Sequence, residues 1–204
     1  MGERLRLVLL NRRNFIGLMV AGLMAALSKL VGGASRVLPG LRLRPPGALP
    51  EKQFTDACVG CFKCGDACPN DCIQFYGFEA GLEKAFTPYI KARTRGCTLC
   101  GECGNACPTG ALKPFEVSRT GWVKSVKMGV ARVNKDMCYS YHGRTCGACY
   151  LACPLAGVAM KIGVFETPHV QPDGCVGCGL CEQACLHLPQ AIRVIPIDGG
   201  GEPS

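Results

Sequence analysis

Sixteen of the 17 cysteines in this 204-residue chain fall into four groups of four. One group, Cys97, Cys100, Cys103 and Cys107 followed by Pro108, has the spacing C-x2-C-x2-C-x3-C-P, the pattern by which short loops hold [4Fe–4S] clusters through thiolates. Reach explains the spacing. Three cysteines two residues apart wrap a tight loop around one cube, so three iron corners take ligands from one short stretch. The fourth, three residues further on, is expected to start a helix pointing away and to ligate a second cluster, as in two-cluster ferredoxins. The remaining groups are Cys58, Cys61, Cys64, Cys68; Cys138, Cys146, Cys149, Cys153; and Cys175, Cys178, Cys181, Cys185. All 16 are therefore expected to be iron ligands of four [4Fe–4S] clusters. Such motifs come in reciprocal pairs, and two pairings are open: first with second and third with fourth, or first with fourth and second with third.

Two groups vary the pattern. In the third, Tyr139–Thr145 separates Cys138 from Cys146, so a longer loop is expected to cover one cluster. The fourth lacks a proline after Cys185. Neither change removes a ligand, and either can tune a cluster through solvent access and N–H donors to sulfur. Cys72 is left over; it is read as a buried structural thiol, with an alternative cluster ligand as the second reading.

Other chemistries for the cysteines are disfavoured. Disulfide scaffolds are common in cysteine-rich chains, but they do not repeat this spacing four times. Structural zinc takes its ligands from two C-x2-C knuckles with a longer gap. No C-x-x-C is followed by histidine, which argues against covalent haem attachment.

The elements that must position these thiols lie directly C-terminal to each motif. Ile73–Phe75, Ala111-Leu112, Ala159–Ile162 and Ala191–Val194 are short apolar segments, expected as strands beside a cluster, and the repeat is the main organising signal. The fold class is α+β: two ferredoxin-like modules for two clusters each, with small strands and short helices in a loop-rich chain. The modules are assigned to 51–114 and 115–204, after a targeting segment over 1–34 and an extended linker over 35–50. Pro45-Pro46 forbids helix there and pushes Arg44 to extended geometry. The linker's positive charge suits a membrane partner or anionic headgroups; a solvated tether or a strand packed along the core is the other reading.

The connector Ile73–Arg95 is expected as a hairpin or short helix over a cluster, its Phe75, Tyr76, Phe78, Phe86 and Tyr89 excluding water rather than relaying electrons. Phe115–Val117 and Val123–Val133 read as extended segments around a turn at Ser118–Gly121, with Trp122 beside it. Lys124, Lys127 and Arg132 make a solvated strand face, or could dock an acidic redox partner.

The formal net charge of +8 would suggest nucleic acid if the cysteines stayed neutral. Each oxidised [4Fe–4S] site on four thiolates adds about −2, which brings a four-cluster protein near neutrality, and no nucleic-acid partner is expected. His142, His169 and His187 show no ligand spacing and read as loop or surface residues. No nucleophile constellation, nucleotide loop or substrate motif is present, so the chain is expected to be an electron carrier and not itself an enzyme.

Arg12 and Arg13 precede the 13-residue apolar run Phe15–Leu27, the arrangement of a twin-arginine export signal. The run is short for a membrane span, which needs about 20 residues. Gly32-Gly33-Ala34 is a weak cleavage site, so the segment is cleaved or retained as an anchor. Export of a folded, loaded protein suits the cysteines: clusters are assembled in the reducing cytoplasm, and an unfolded chain would oxidise outside it. The expected location is the periplasm, associated with the cytoplasmic membrane.

The chain resembles the MauM/NapG family of periplasmic ferredoxin-type proteins. The resemblance runs through the arginine pair, Arg42-Leu43-Arg44-Pro45-Pro46-Gly47-Ala48-Leu49, the Ala57–Pro69 motif, Thr87-Pro88-Tyr89, Met128-Gly129 with Ala131-Arg132, the stretched third motif with Cys153-Pro154-Leu155, and Cys175–Cys181. It implies a four-cluster electron-transfer subunit that takes electrons from a membrane-bound quinol-oxidising ferredoxin-type protein and passes them to a periplasmic reductase. The plain two-residue gap between Cys100 and Cys103 departs from the longer, proline-containing insertion expected of the nitrate-reductase branch, so the reductase is not identified. A polyferredoxin subunit of another multi-subunit oxidoreductase and a cluster-bearing assembly factor are the alternative functions.

Overall fold

The structure, a computed structural model, describes residues 42–197. The arginine pair, the targeting segment and the start of the linker lie outside the described residues. No helix among the described residues is long and apolar enough to cross a membrane.

The described chain begins as an extended arm that belongs to the core. Leu43 exchanges both backbone hydrogen bonds with Ile90, at 2.9 and 2.7 Å, and residues 47–49 pair with 111–113 through Leu49 N–H to Ala111 and Lys113 N–H to Gly47. Leu43, Pro45 and Pro46 are fully buried. Of the two readings of this linker, a strand packed along the core is the one realised from residue 42 onward. The prolines, lacking N–H donors, explain why pairing is interrupted between the two bridges. The arm's arginines also face inward. Arg42 lies 4.7 and 4.4 Å from the rings of Tyr76 and Tyr89, and Arg44 lies 4.6 Å from Phe54 while pairing with Glu51 at 2.8 and 2.6 Å. Hydrogen bonding from Arg44 holds the Glu51 carboxyl below its ordinary value despite partial burial.

Short elements make up the rest: α1 (Glu51–Ala57), α2 (Lys63–Asp66), β1 (Ile73–Phe75), β2 (Pro88–Ile90), α3 (Glu102–Asn105) and α4 (Arg119–Ser125). Then come β3 (Gly129–Val133), α5 (Ala148–Leu151), β4 (Met160–Ile162), β5 (Pro168–Val170), α6 (Leu180–Gln183) and β6 (Ile192–Pro196). The strands form antiparallel pairs: β1 with β2, β4 with β5, and β3 with β6 from Gly129↔Pro196 to Val133↔Ile192. One plan is thus used twice. The arm pairs with 111–113 around α2, the β1–β2 hairpin and α3; β3 pairs with β6 around α5, the β4–β5 hairpin and α6.

The expected strands after the first, third and fourth motifs are present, and Leu112 forms a bridge with Ala48. The connector Ile73–Arg95 is a hairpin. The turn expected at Ser118–Gly121 is instead the start of α4: the Ser118 hydroxyl accepts from Gly121 N–H at 2.9 Å, a cap that favours helix. Val123 is consequently helical, and the strand covers only 129–133. Trp122 packs against the core from α4.

Arg44 also donates to the Thr87 hydroxyl and the Pro88 carbonyl at 2.9 and 2.8 Å, a planar set of partners that lysine cannot match. Arg44→Lys is expected to cost about 1–3 kcal/mol of stability, read as a lower urea midpoint with iron content unchanged.

Candidate metal centres

Each cysteine loop is shaped by left-handed backbone. The residue after the second cysteine, Phe62, Gly101, Gly147 or Gly179, has φ of 64, 83, 57 or 84° and caps a four-residue helix, α2, α3, α5 or α6. A second such residue precedes the second cysteine in three motifs: Gly60, Leu99 and Gly177, at 63, 61 and 74°. Phe62 and Leu99 hold this conformation without being glycine, at about 1–2 kcal/mol each. Repeating the bend at fixed positions keeps the three thiols on the inside of the loop.

The helix is one turn long and carries the third cysteine, so the expectation that the fourth starts a helix is corrected: Cys68, Cys107, Cys153 and Cys185 lie just beyond α2, α3, α5 and α6. The three-residue gap before the fourth cysteine is consumed by that turn, which carries the thiol out of its own loop. Four cavities result, here numbered by the motif that supplies three of the thiols. Site 1 is lined by Cys58, Cys61, Cys64 and Cys107. Site 2 is lined by Cys97, Cys100, Cys103 and Cys68, with Cys72 as a fifth. Site 3 is lined by Cys138, Cys146, Cys149 and Cys185, and site 4 by Cys175, Cys178, Cys181 and Cys153. The fourth cysteines are exchanged between the first and second motifs and between the third and fourth, so the grouping is the sequential one.

These cavities suit a cluster better than a disulfide or a single ion. All 17 cysteines are free, and among the described residues no three His, Cys, Asp or Glu converge tightly enough to hold one metal ion. Four thiols, five at site 2, instead surround each apolar space, and backbone donors are already aimed at sulfur: Leu99 to Cys97 at 3.4 Å, Leu112 to Cys107 at 3.5 Å and Ala191 to Cys185 at 3.3 Å. Burial pushes the thiols of Cys64 and Cys149 up to about 11 and those of Cys103 and Cys178 up to about 12. Nearby cysteines push in the same direction. Cys107 goes the other way, because N–H groups led by that of Leu112 and the Thr109 hydroxyl outweigh its burial. Most of these thiols become thiolates only when iron charge draws them, and loading releases their protons.

The sites differ in exposure. Cys61 of site 1 is exposed, whereas Cys68, Cys97 and Cys103 of site 2 and Cys175, Cys178 and Cys181 of site 4 are buried. Sites 2 and 4 meet at a tight junction: Cys97 N–H donates to the Cys178 carbonyl at 2.7 Å, and Gly96 leaves no room for a Cβ against the backbone of Gly179 and Leu180. Arg93 reaches across to the carbonyls of Glu182 and Cys185 at 3.0 and 2.8 Å, in and just after the last turn of α6, where a cation is favoured.

Of the aromatic residues singled out in the sequence, Phe75 and Phe86 line site 1 together with Phe62, and Phe62 packs edge-on to Phe75 with centroids 4.6 Å apart. Phe78 packs edge-on to Phe86, and Tyr76 packs on Tyr89. The stretched third motif folds as a 3₁₀ turn over Tyr139–His142, with Tyr139 and Ser140 lining site 3. His187 is not a simple surface residue: it lines site 3 and lies 5.0 Å from the Tyr139 ring. Its place two residues after Cys185 was the available signal. His142 bonds the Asp136 carbonyl, and His169 lies on the exposed β5 edge.

The 4Fe-4S dicluster domain family matches residues 57–111, 96–157 and 144–187. The middle match spans the second and third motifs, yet no site draws cysteines from both. The methylamine utilization ferredoxin-type protein MauM of Methylophilus methylotrophus is 36% identical over 168 residues, covering 78% of this chain and 72% of that protein. MauM of Methylorubrum extorquens is 39% identical over 193 residues (89% and 83%), and the ferredoxin-type protein NapG of Escherichia coli is 35% identical over 194 (89% and 80%). The chain belongs to the MauM/NapG family of ferredoxin-type proteins. As a member of the family it is an iron–sulfur electron-transfer protein whose dicluster domains bind [4Fe–4S] clusters.

The exchanged cysteines make a sharp prediction. Cys107→Ser should alter the same EPR signal as Cys58→Ser, and Cys103→Ser the same signal as Cys68→Ser, each at the cost of up to about four irons. Cys107→Ser and Cys103→Ser altering one common signal would contradict the geometry.

Proposed function

We propose that the chain carries four [4Fe–4S] clusters on its 16 grouped cysteines, in two modules of two, and relays electrons from a membrane-bound quinol-oxidising ferredoxin-type partner to a periplasmic reductase. The observation that carries this reading is the unbroken series of cysteine-lined sites. Reciprocal exchange joins site 1 to site 2 and site 3 to site 4; the Cys97–Cys178 hydrogen bond joins site 2 to site 4. The order is therefore 1–2–4–3, with site 1, whose Cys61 is exposed, at one end and site 3, whose cysteines are half-buried, at the other. Bound clusters would supply one-electron couples within about −700 to +450 mV. The chain's own residues would hold them in line, exclude water through Leu99, Leu155 and Met160, and direct N–H groups at sulfur. The chain would need no substrate site, the chemistry resting with its partners.

The arginine pair and the cysteine content support export of the loaded, folded protein by the twin-arginine route, with the protein working at the periplasmic face of the cytoplasmic membrane. A wire of clusters there would connect the membrane quinol pool with a soluble acceptor.

Two experiments test the reading. Anaerobically purified protein should contain about 16 irons and as much acid-labile sulfide per chain, with EPR signals reduced at quinol-accessible potentials. Few irons with zinc in their place would overturn the cluster assignment, and clusters reduced only far below those potentials would overturn the quinol source. Replacing Arg12 and Arg13 together by lysine should hold the loaded protein in the cytoplasmic fraction; undiminished export would exclude the twin-arginine route.

A further inference from the structure

Cys72 is the one thiol that the series of sites leaves without a task. It is 3% exposed, lines site 2 with the four cysteines assigned there, and its Sγ lies 3.5 Å from Cys68 Sγ. Its place is fixed from both sides. Asp71 N–H bonds the Cys68 carbonyl at 3.1 Å to close the turn before it, and Ile73 after it opens β1, paired to Ile90.

The internal repeat shows that packing alone does not call for sulfur here. Cys72 immediately precedes the apolar residue Ile73 after its motif, as Ala111, Ala159 and Ala191 precede Leu112, Met160 and Ile192. Those alanines are 1, 4 and 3% exposed, so a methyl group suffices at this position in the other three repeats. The repeat also shows what the fourth cysteines have in common. Cys107 and Cys185 each accept a backbone N–H, from Leu112 at 3.5 Å and Ala191 at 3.3 Å. Cys68 has the Cys72 thiol at that distance in addition to the backbone N–H groups of Cys72 and Asn70.

We propose that Cys72 stays off iron and donates its S–H to the Cys68 thiolate, setting the reduction potential of site 2. This rests on the reading that site 2 holds a [4Fe–4S] cluster. A donor to a cluster thiolate stabilises the reduced, more negative state and raises the potential. Site 2 abuts the junction with site 4, so its potential governs whether an electron crosses between the halves or rests in the first. Cys72 is thus a positioning and tuning residue, and the ligand set of site 2 remains Cys68, Cys97, Cys100 and Cys103.

The test is a redox-titrated EPR series with iron analysis on anaerobically purified full chain, wild type against Cys72→Ala and Cys72→Ser. Alanine is what the other repeats carry, so this variant is expected to fold and to keep its full iron. One of the four midpoints should fall in Cys72→Ala while three stay in place, and serine, which still donates, should restore part of the shift. Loss of up to four irons from Cys72→Ala would make Cys72 a ligand and overturn the proposal. Full iron with all midpoints unmoved would also overturn it, leaving the thiol as packing. A wild-type chain without iron would overturn the cluster reading itself, a result distinct from either.

Discussion

Gathering four thiols around a small apolar space is unfavourable until iron arrives, and the architecture answers that constraint. Burial pushes most of the central thiols well above their ordinary range, with neighbouring cysteines adding to it. The described chain holds them with short elements, strands of three to five residues and helices of four to seven. Metal bound at these sites would contribute folding free energy directly. What the polypeptide supplies is a loop geometry that brings three sulfurs to one side and sends a fourth next door.

That geometry explains why so much is legible in the sequence. The grouping of three cysteines around each site was legible because a tight loop can be built only with short, fixed spacings, and all four motifs keep Cys-x2-Cys into the helix turn. The strands were legible because each comes after its motif as a brief apolar run. Pairing was not legible: the spacing says only that the fourth cysteine leaves its loop, and both partners have the same pattern. The placements that decide it, such as Cys107 beside Cys58 in site 1 and Cys185 beside Cys138 in site 3, bring together residues far apart in sequence.

Misreadings fell where short-range signals compete. Ser118-Arg119-Thr120-Gly121 has turn composition, yet the serine serves as a helix cap and converts the turn into α4. The arm's prolines and arginines resemble a tether, and only the rings of Tyr76, Tyr89 and Phe54 show where the positive charge goes. An arginine above an aromatic face looks the same in sequence as one facing water. The pairing between the arm and residues 111–113 was hidden for a similar reason: two interrupted bridges carry no alternation to detect.

Reciprocal exchange also bears on how the protein is built. Filling site 2 fixes Cys68 and so clamps the end of α2, the helix that presents Cys64 to site 1. Filling site 1 does the same through Cys107 and α3, whose Cys103 faces site 2. Each loading step thus preorganises the other, a coupling free energy between neighbouring sites. With clusters bound as proposed, half-filled modules would be the scarce species during maturation, each half of the chain filling as a unit.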